Sequence, residues 1–167
     1  MTAEEIRQYL AELNDELCAL DVKGEVCLYG GAVMCLVYQA RPATKDVDAI
    51  FAPVKYIRGA AGRIAERHNL RQDWLNYAVR MFVTEHPKRL LFALSHLTVH
   101  VPEPDYLLAM KALAGRVDTH DRDDVAFLIR ELRLQSAAEV SQIVAHYYPR
   151  KQIKPEVQAF IEELFEK

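Results

Sequence analysis

Val26-Cys-Leu-Tyr-Gly-Gly31, followed after a short interval by Arg41-Pro-Ala-Thr-Lys-Asp-Val-Asp48, is the stretch on which the fold of this 167-residue chain turns. Val26 to Tyr29 is a short apolar run of β type that ends on a glycine pair, and glycine lets a strand turn sharply into a helix. A helix is expected from about Ala32 to Gln39. It does not run through Arg41-Pro42, because proline pushes the residue before it out of the α region. Extended structure is expected to resume from Asp46 to Phe51. Strand alternation there places Asp46 and Asp48 on one face and Val47, Ala49 and Phe51 on the other.

Two carboxylates about 7 Å apart along a strand can lean toward one hard cation, and magnesium usually takes one or two carboxylates together with phosphate oxygens and water. The glycine pair supplies the complementary half, since a strand-to-helix turn without side chains lets backbone amides point at a phosphate. Each feature alone has a plainer reading, a solvated strand end for the acids and a tight turn for the glycines. Together they favour metal-assisted handling of a phosphate.

Outward from this stretch, Ile6, Leu10, Leu13, Leu17 and Leu20 recur at helical spacing, and Thr2 with Glu5 forms a capping box. Helices are expected from Pro53 to about His68 and from Asp73 to Thr84. Leu97-Thr-Val-His-Val101 alternates like a strand and is closed by Pro102 and Pro104. From Asp105 the pattern is helical throughout, over about 105–115, 121–134, 137–147 and 156–166. The fold class is therefore α/β in the α+β sense, a small mixed sheet flanked by helices with a helical C-terminal half. A single domain is expected, with residues 1–102 as the α/β core and 103–167 as a helical extension packed on it.

Composition narrows the functions. A formal charge of −3 provides no global field for a polyanion, so any nucleic-acid contact requires a local basic patch. Cys18, Cys27 and Cys35 lack metal-ligand spacing and are expected to be buried, reduced thiols. The six histidines form no H-x-x-x-H or H-E-x-x-H pair on one helical face and no G-x-S-x-G is present, which leaves zinc-protease and serine-hydrolase chemistry without support. No apolar stretch is long enough to cross a bilayer, and a cytoplasmic location without membrane partners is expected.

In the second half, Lys111 falls on the helical wheel among Leu107, Leu108 and Ala114 and away from the stripe of Asp105, Ala109, Ala112 and Arg116. A lysine on an apolar face either snorkels to the rim of the core or lines a polar cavity and offers its ammonium to a phosphate. Asp121 precedes a helix whose apolar face is Val125, Leu128, Ile129 and Leu132, and reads either as a cap with Asp123 and Asp124 behind it or as a partner of Lys111. Arg116 is either a surface cation or a triphosphate contact.

Strand, Gly30-Gly31, helix and then Arg41-x-x-Thr44-x-Asp46-x-Asp48 resembles the signature of minimal nucleotidyltransferases of the AbiEii and related toxin-like families, within the DNA polymerase β-like superfamily. The resemblance extends through Trp74-Leu-Asn76, Leu107-Leu-Ala-Met-Lys111-x-x-Ala114-x-Arg116 and Asp121-x-x-Asp124, and is nearest to members with Gly-Gly in place of Gly-Ser. It implies transfer of a nucleoside monophosphate from a nucleoside triphosphate to a hydroxyl of an RNA acceptor, tRNA among them, or of a protein. Asp46 and Asp48 would hold Mg2+ or Mn2+, and Gly30, Gly31, Arg41, Thr44, Lys111 and Arg116 would bind nucleotide or phosphate. Lys111 and Asp121 would assist catalysis, and an antitoxin partner is implied. Members of the superfamily usually carry a third carboxylate on a neighbouring strand, where Leu97–Val101 presents Thr98 and His100. The alternative expectation is therefore a catalytically degenerate nucleotide-binding or protein-interaction module of the same fold.

Overall fold

The computed structural model describes residues 1–114 and 119–166, with Thr119 described in its backbone only. The chain divides into two units, Met1–Val83 with Lys88–Pro102, and Thr84–Pro87 with Glu103–Lys167. The described residues are α/β in class, with a mixed five-stranded sheet in the first unit and four helices in the second.

In the first unit, α1 (Ala3–Ala19) opens with the expected capping box, Thr2 accepting from the Glu5 amide while the Glu5 carboxylate accepts from the Thr2 amide. Its buried residues, Ile6, Tyr9, Leu10, Leu13 and Leu17, recur every three or four positions. Cys18 comes one residue after the last of them, turned by about 100°, and is exposed, contrary to the expectation of three buried thiols. Cys27 and Cys35 are buried.

The sheet comprises β1 (Gly24–Tyr29), β2 (Val47–Ala52), β3 (Leu75–Asn76), β4 (Lys88–Ala93) and β5 (Leu97–Pro102), in the order β3-β2-β1-β5-β4. β1 pairs antiparallel with β2 and parallel with β5. The helices α2 (Gly30–Leu36) and α3 (Val54–His68) follow β1 and β2. A Cβ at Gly24 would meet Leu17 of α1 and Ile57 of α3, so the even positions of β1 face these two helices. Val26 and Leu28, with Val47, Ala49 and Phe51 of β2, make that face, and all are at most 3% exposed. Each of the larger side chains among them, all but Ala49, contributes roughly 1.5–3 kcal/mol by leaving water. The opposite face carries Cys27 and Tyr29 with Asp48 and Ile50, and His100 of β5 stands beside Cys27.

On the outer side, α1 and α3 are joined by charge. Glu12 meets Arg67 and His68, and Glu16 meets Arg63 and Arg67. Burial alone would raise the Glu12 pKa, but hydrogen bonds from His68, Arg67 and Gln8 hold it below the usual glutamate range.

Several local expectations are corrected. α2 begins on the glycine pair itself and ends at Leu36, before Gln39, whose left-handed φ of 53° turns the chain while the Ala40 amide bonds back to the Met34 carbonyl. No helix spans Asp73–Thr84. Trp74 is buried with its indole N–H donated to the Ala61 carbonyl, Leu75–Asn76 pairs with β2, and a 3-10 turn follows over Ala78–Met81. β4 was not foreseen. It is an edge strand with a bulge between Leu90 and Phe92, so it lacks the strict alternation of a half-buried strand. Asp46 lies in a bend before β2, and strand alternation therefore fixes Asp48 but not Asp46.

In the second unit, α4 (Pro104–Ala114) packs on α5 (Thr119–Glu131) and α6 (Ala137–Tyr147), and α7 (Pro155–Leu164) on α5 and α6. Tyr106 of α4 is fully buried and serves as a hub. Its hydroxyl lies 2.7 Å from that of Tyr148 and accepts the Thr84 amide at 3.0 Å, while His86 stacks on its ring at 4.0 Å. Residues 84–87 are thereby held in this unit. The helical wheel of α4 needs one correction: Ala109 and Ala112 are buried along with Leu107 and Leu108, and Ala114 is exposed. Asp121 does not precede α5 but sits in its first turn, because the helix begins at Thr119.

Candidate functional site

The diglycine turn is built by a change of backbone sign. Tyr29 ends β1 extended, Gly30 takes φ +62°, and Gly31 is already helical. A residue with a Cβ is strained at that φ. The space around the turn is equally restrictive. A Cβ at Gly30 would lie 3.0 Å from Asp48 Oδ2, and one at Gly31 would lie 2.5 Å from Thr44 Oγ1 and 3.1 Å from Arg41 Nη1. A carboxylate, a hydroxyl and a guanidinium thus crowd onto two residues that lack side chains.

Two different devices bring them there. Asp48 is placed by the sheet, since the β1–β2 register sets it opposite Tyr29, the residue before the turn. Arg41 and Thr44 are placed by the loop between α2 and β2, which the start of the chain straps down. The Met1 nitrogen donates to the Thr44 carbonyl at 2.7 Å, the Thr44 amide to the Met1 carbonyl at 2.8 Å, and Thr2 bridges to Ala43. The Thr44 hydroxyl donates to the Asp46 carbonyl at 3.3 Å, which ties Asp46 to the same loop. Asp46 and Asp48 are both partly buried. Asn76 of β3 stands beside Asp48 in register, a neighbour that no local pattern announces.

Gly30, Gly31, Arg41, Thr44 and Asp48 are therefore gathered in space, and Asp46 is joined to them through Thr44. A divalent cation fits the chemistry of this donor set, because Asp48 turns a carboxylate oxygen into the cradle over Gly30 that a Cβ would fill. Asp48 and Asp46 are the residues that would hold it. Among the described residues, no three His, Cys, Asp or Glu side chains form a metal-holding group. The next row of this face runs through Ile50, Cys27 and His100. Burial pushes the Cys27 thiol up, against a hydrogen bond with Tyr29 and the charge of Lys88, so it is held as a protonated thiol, a poor nucleophile.

Lys111 and Asp121 belong to the second unit, where they meet each other. Lys111 Nζ lies 3.0 Å from Asp121 Oδ1 and 2.8 Å from Asp124 Oδ2, with the Asp124 side chain 1% exposed. Asp124 is the member whose part was missed. The signal was its i, i+3 spacing from Asp121, which sets both acids on one face of α5. One ammonium between two carboxylates leaves the trio with a net charge of −1, so Lys111 is already matched within its own unit. Arg116 lies outside the described residues.

Comparison with protein-family models, with curated proteins and with solved structures returns no match. Among the described residues no helix is long and apolar enough to cross a membrane.

Proposed function

We propose that this chain is a metal-dependent nucleotidyltransferase that moves a nucleoside monophosphate from a nucleoside triphosphate to a hydroxyl of an RNA or protein acceptor. The observation that carries the reading is the convergence of Asp48, Thr44 and Arg41 on the Gly30-Gly31 turn. A triphosphate needs close approach to backbone amides, a cationic fork and an anionic anchor for its metal, and these are the groups that surround the turn. In the reaction the acceptor hydroxyl gives up its proton to water as its oxygen bonds to the α-phosphorus, the bond from that phosphorus to the bridging oxygen breaks, and pyrophosphate leaves with the electron pair. Bound Mg2+ or Mn2+ would supply Lewis-acid neutralisation of phosphate charge. The chain's own residues orient the nucleotide: the Arg41 guanidinium and the Thr44 hydroxyl stand beside the turn whose backbone amides would meet the phosphates. Toxin-like action and an antitoxin partner are part of the same proposal.

A second reading, a nucleotide-binding or protein-interaction module without turnover, is favoured by one specific observation. The position beside Cys27 on β5 is His100, where a third metal-binding acid would be expected. One experiment separates the two. Purified protein incubated with each α-labelled triphosphate, Mg2+ or Mn2+, and total RNA or protein extract should label an acceptor, and the label should vanish in Asp48→Ala. Tight triphosphate binding with no label on any acceptor selects the module, and no binding of any triphosphate sinks both readings.

A further inference from the structure

We infer that the β3 edge of the sheet carries a docking surface for single-stranded nucleic acid, centred on Arg58, Tyr77 and Arg80. The inference stands on these side chains and does not require nucleotidyl transfer at Asp48.

Tyr77 follows β3, and its ring rests on Phe51 with centroids 4.6 Å apart. Two guanidinium groups address that ring, Arg58 of α3 at 5.7 Å from the centroid and Arg80 of the 3-10 turn at 5.9 Å. Both arginines are exposed. Elsewhere in this unit, arginines of α3 and of the turn after it are matched by acids: Arg63 by Glu16, Arg67 by Glu12 and Glu16, Arg71 by Asp73. Among the described residues no carboxylate stands within ion-pair distance of Arg58 or Arg80, and neither 54–65 nor 74–84 contains a single Asp or Glu. In a chain of net charge −3 this is a local positive patch, the condition that composition alone had set for any contact with a polyanion.

A guanidinium drawn toward an aromatic ring still has an N–H edge that matches two oxygens of one phosphate. Phe82, two residues beyond Arg80, adds a ring at 60% exposure, and Tyr77 is itself only half-buried. Cations alternating with exposed rings are what a single strand requires, because it offers phosphates and unstacked bases in alternation. A duplex keeps its base faces hidden, and an acidic peptide has no bases to stack on Tyr77 and Phe82. The surface adjoins the strand that bears Asp48, since β3 pairs with β2 and places Asn76 beside that acid, on the opposite face from the Tyr77 ring.

The test is fluorescence anisotropy with labelled oligouridine and oligothymidine of about twelve nucleotides, a length within the range that single-strand sites span. Both strands should bind at low salt if the phosphate–base chemistry is shared, and a preference for oligouridine would identify RNA as the ligand. Arg58→Gln with Arg80→Gln should weaken binding at least tenfold and flatten the dependence of log K on log salt by about 0.7 per contact, about 1.4 for both. Phe82→Ala should weaken it by about tenfold. Arg63→Gln and Arg71→Gln, whose charges are already matched, should bind as the parent does, and the emission of Trp74 checks folding in every variant. Asp48→Asn should keep its oligonucleotide binding whatever becomes of nucleotidyl transfer, so a failure of either idea is read separately. No single-strand binding at low salt, binding unmoved by the arginine pair, tighter binding of a duplex, or stronger capture of a poly-glutamate peptide would each overturn the inference.

Discussion

Gly31→Ala asks whether the site is as crowded as described. The added methyl would sit 2.5 Å from Thr44 Oγ1, 3.2 Å from Thr44 Cβ and 3.1 Å from Arg41 Nη1. The Arg41 contact is with the tip of a long side chain. Thr44 cannot swing aside, because its backbone is fixed on both sides by Met1 and its hydroxyl by the Asp46 carbonyl. Overpacking of this kind costs about 1–3 kcal/mol, and the rigid loop favours the middle of that range, about 2 kcal/mol. Thr44→Ala alone removes one long hydrogen bond and should cost about 0.5–1 kcal/mol. In the double variant the closest atom is gone and the two Cβ atoms remain 3.2 Å apart, so a few tenths of an ångström of adjustment suffices. The pair should then cost at least 1 kcal/mol less than the two single changes added together. Trp74 is the only tryptophan, is 2% exposed and lies in the unit that holds the turn, so its emission reports the unfolding of that unit. With a urea slope of about 2 kcal/mol/M, Gly31→Ala should lower the midpoint by about 1 M, and adding Thr44→Ala should restore part of it. Costs that simply add, within about 0.5 kcal/mol, would show that Thr44 does not press on the turn and would remove the convergence on which the proposed function rests.

Two further outcomes follow from the second unit. Lys111→Ala removes the ammonium held by Asp121 and Asp124, the latter 1% exposed, and should destabilise the helices by about 3–5 kcal/mol in urea unfolding followed at 222 nm; adding Asp121→Asn and Asp124→Asn should recover much of the loss, and a cost below about 1 kcal/mol would refute the ion trio. Tyr147 has its pKa pushed up to about 12 from 10.0 by burial and by its hydrogen bond to Asp105. The folded unit therefore keeps a proton that the unfolded chain releases, so this stabilisation is complete below about pH 10 and fades as pH rises toward about 12. The urea midpoint should fall across that window, and fall less in Tyr147→Phe; equal slopes would exclude Tyr147 as the source.

What could be read from the sequence was local. α1 was legible because its apolar stripe and its capping box are complete within twenty residues, and β1 and β5 because each is a short apolar or alternating run closed by glycine or proline. The segment after Asp73 was misread for the opposite reason. Its apolar spacing suits a helix, but Trp74 is committed to the Ala61 carbonyl and Leu75–Asn76 to β2, and Asn76 then turns the chain by accepting the Ala78 amide through its own side chain. Those partners lie far away in sequence. β4 was missed because an exposed edge strand interrupted by a bulge leaves no period to detect. Arg58 and Arg80 carry no motif, and only the fold sets them around one ring.

The same division between local and distant information runs through the candidate site. The D-x-D spacing suggested two equivalent acids, yet they are held by different means. Asp48 is fixed by backbone pairing on both sides, opposite Tyr29 on β1 and beside Asn76 on β3. Asp46 stands on a bend whose path depends on Thr44, and through Thr44 on Met1. The place of Asp48 therefore depends on the sheet, and that of Asp46 on a strapped loop held between Thr44 and the paired Val47. In the proposed cation site the two acids would fail for different reasons, Asp48 with loss of strand pairing and Asp46 with release of the Met1 strap.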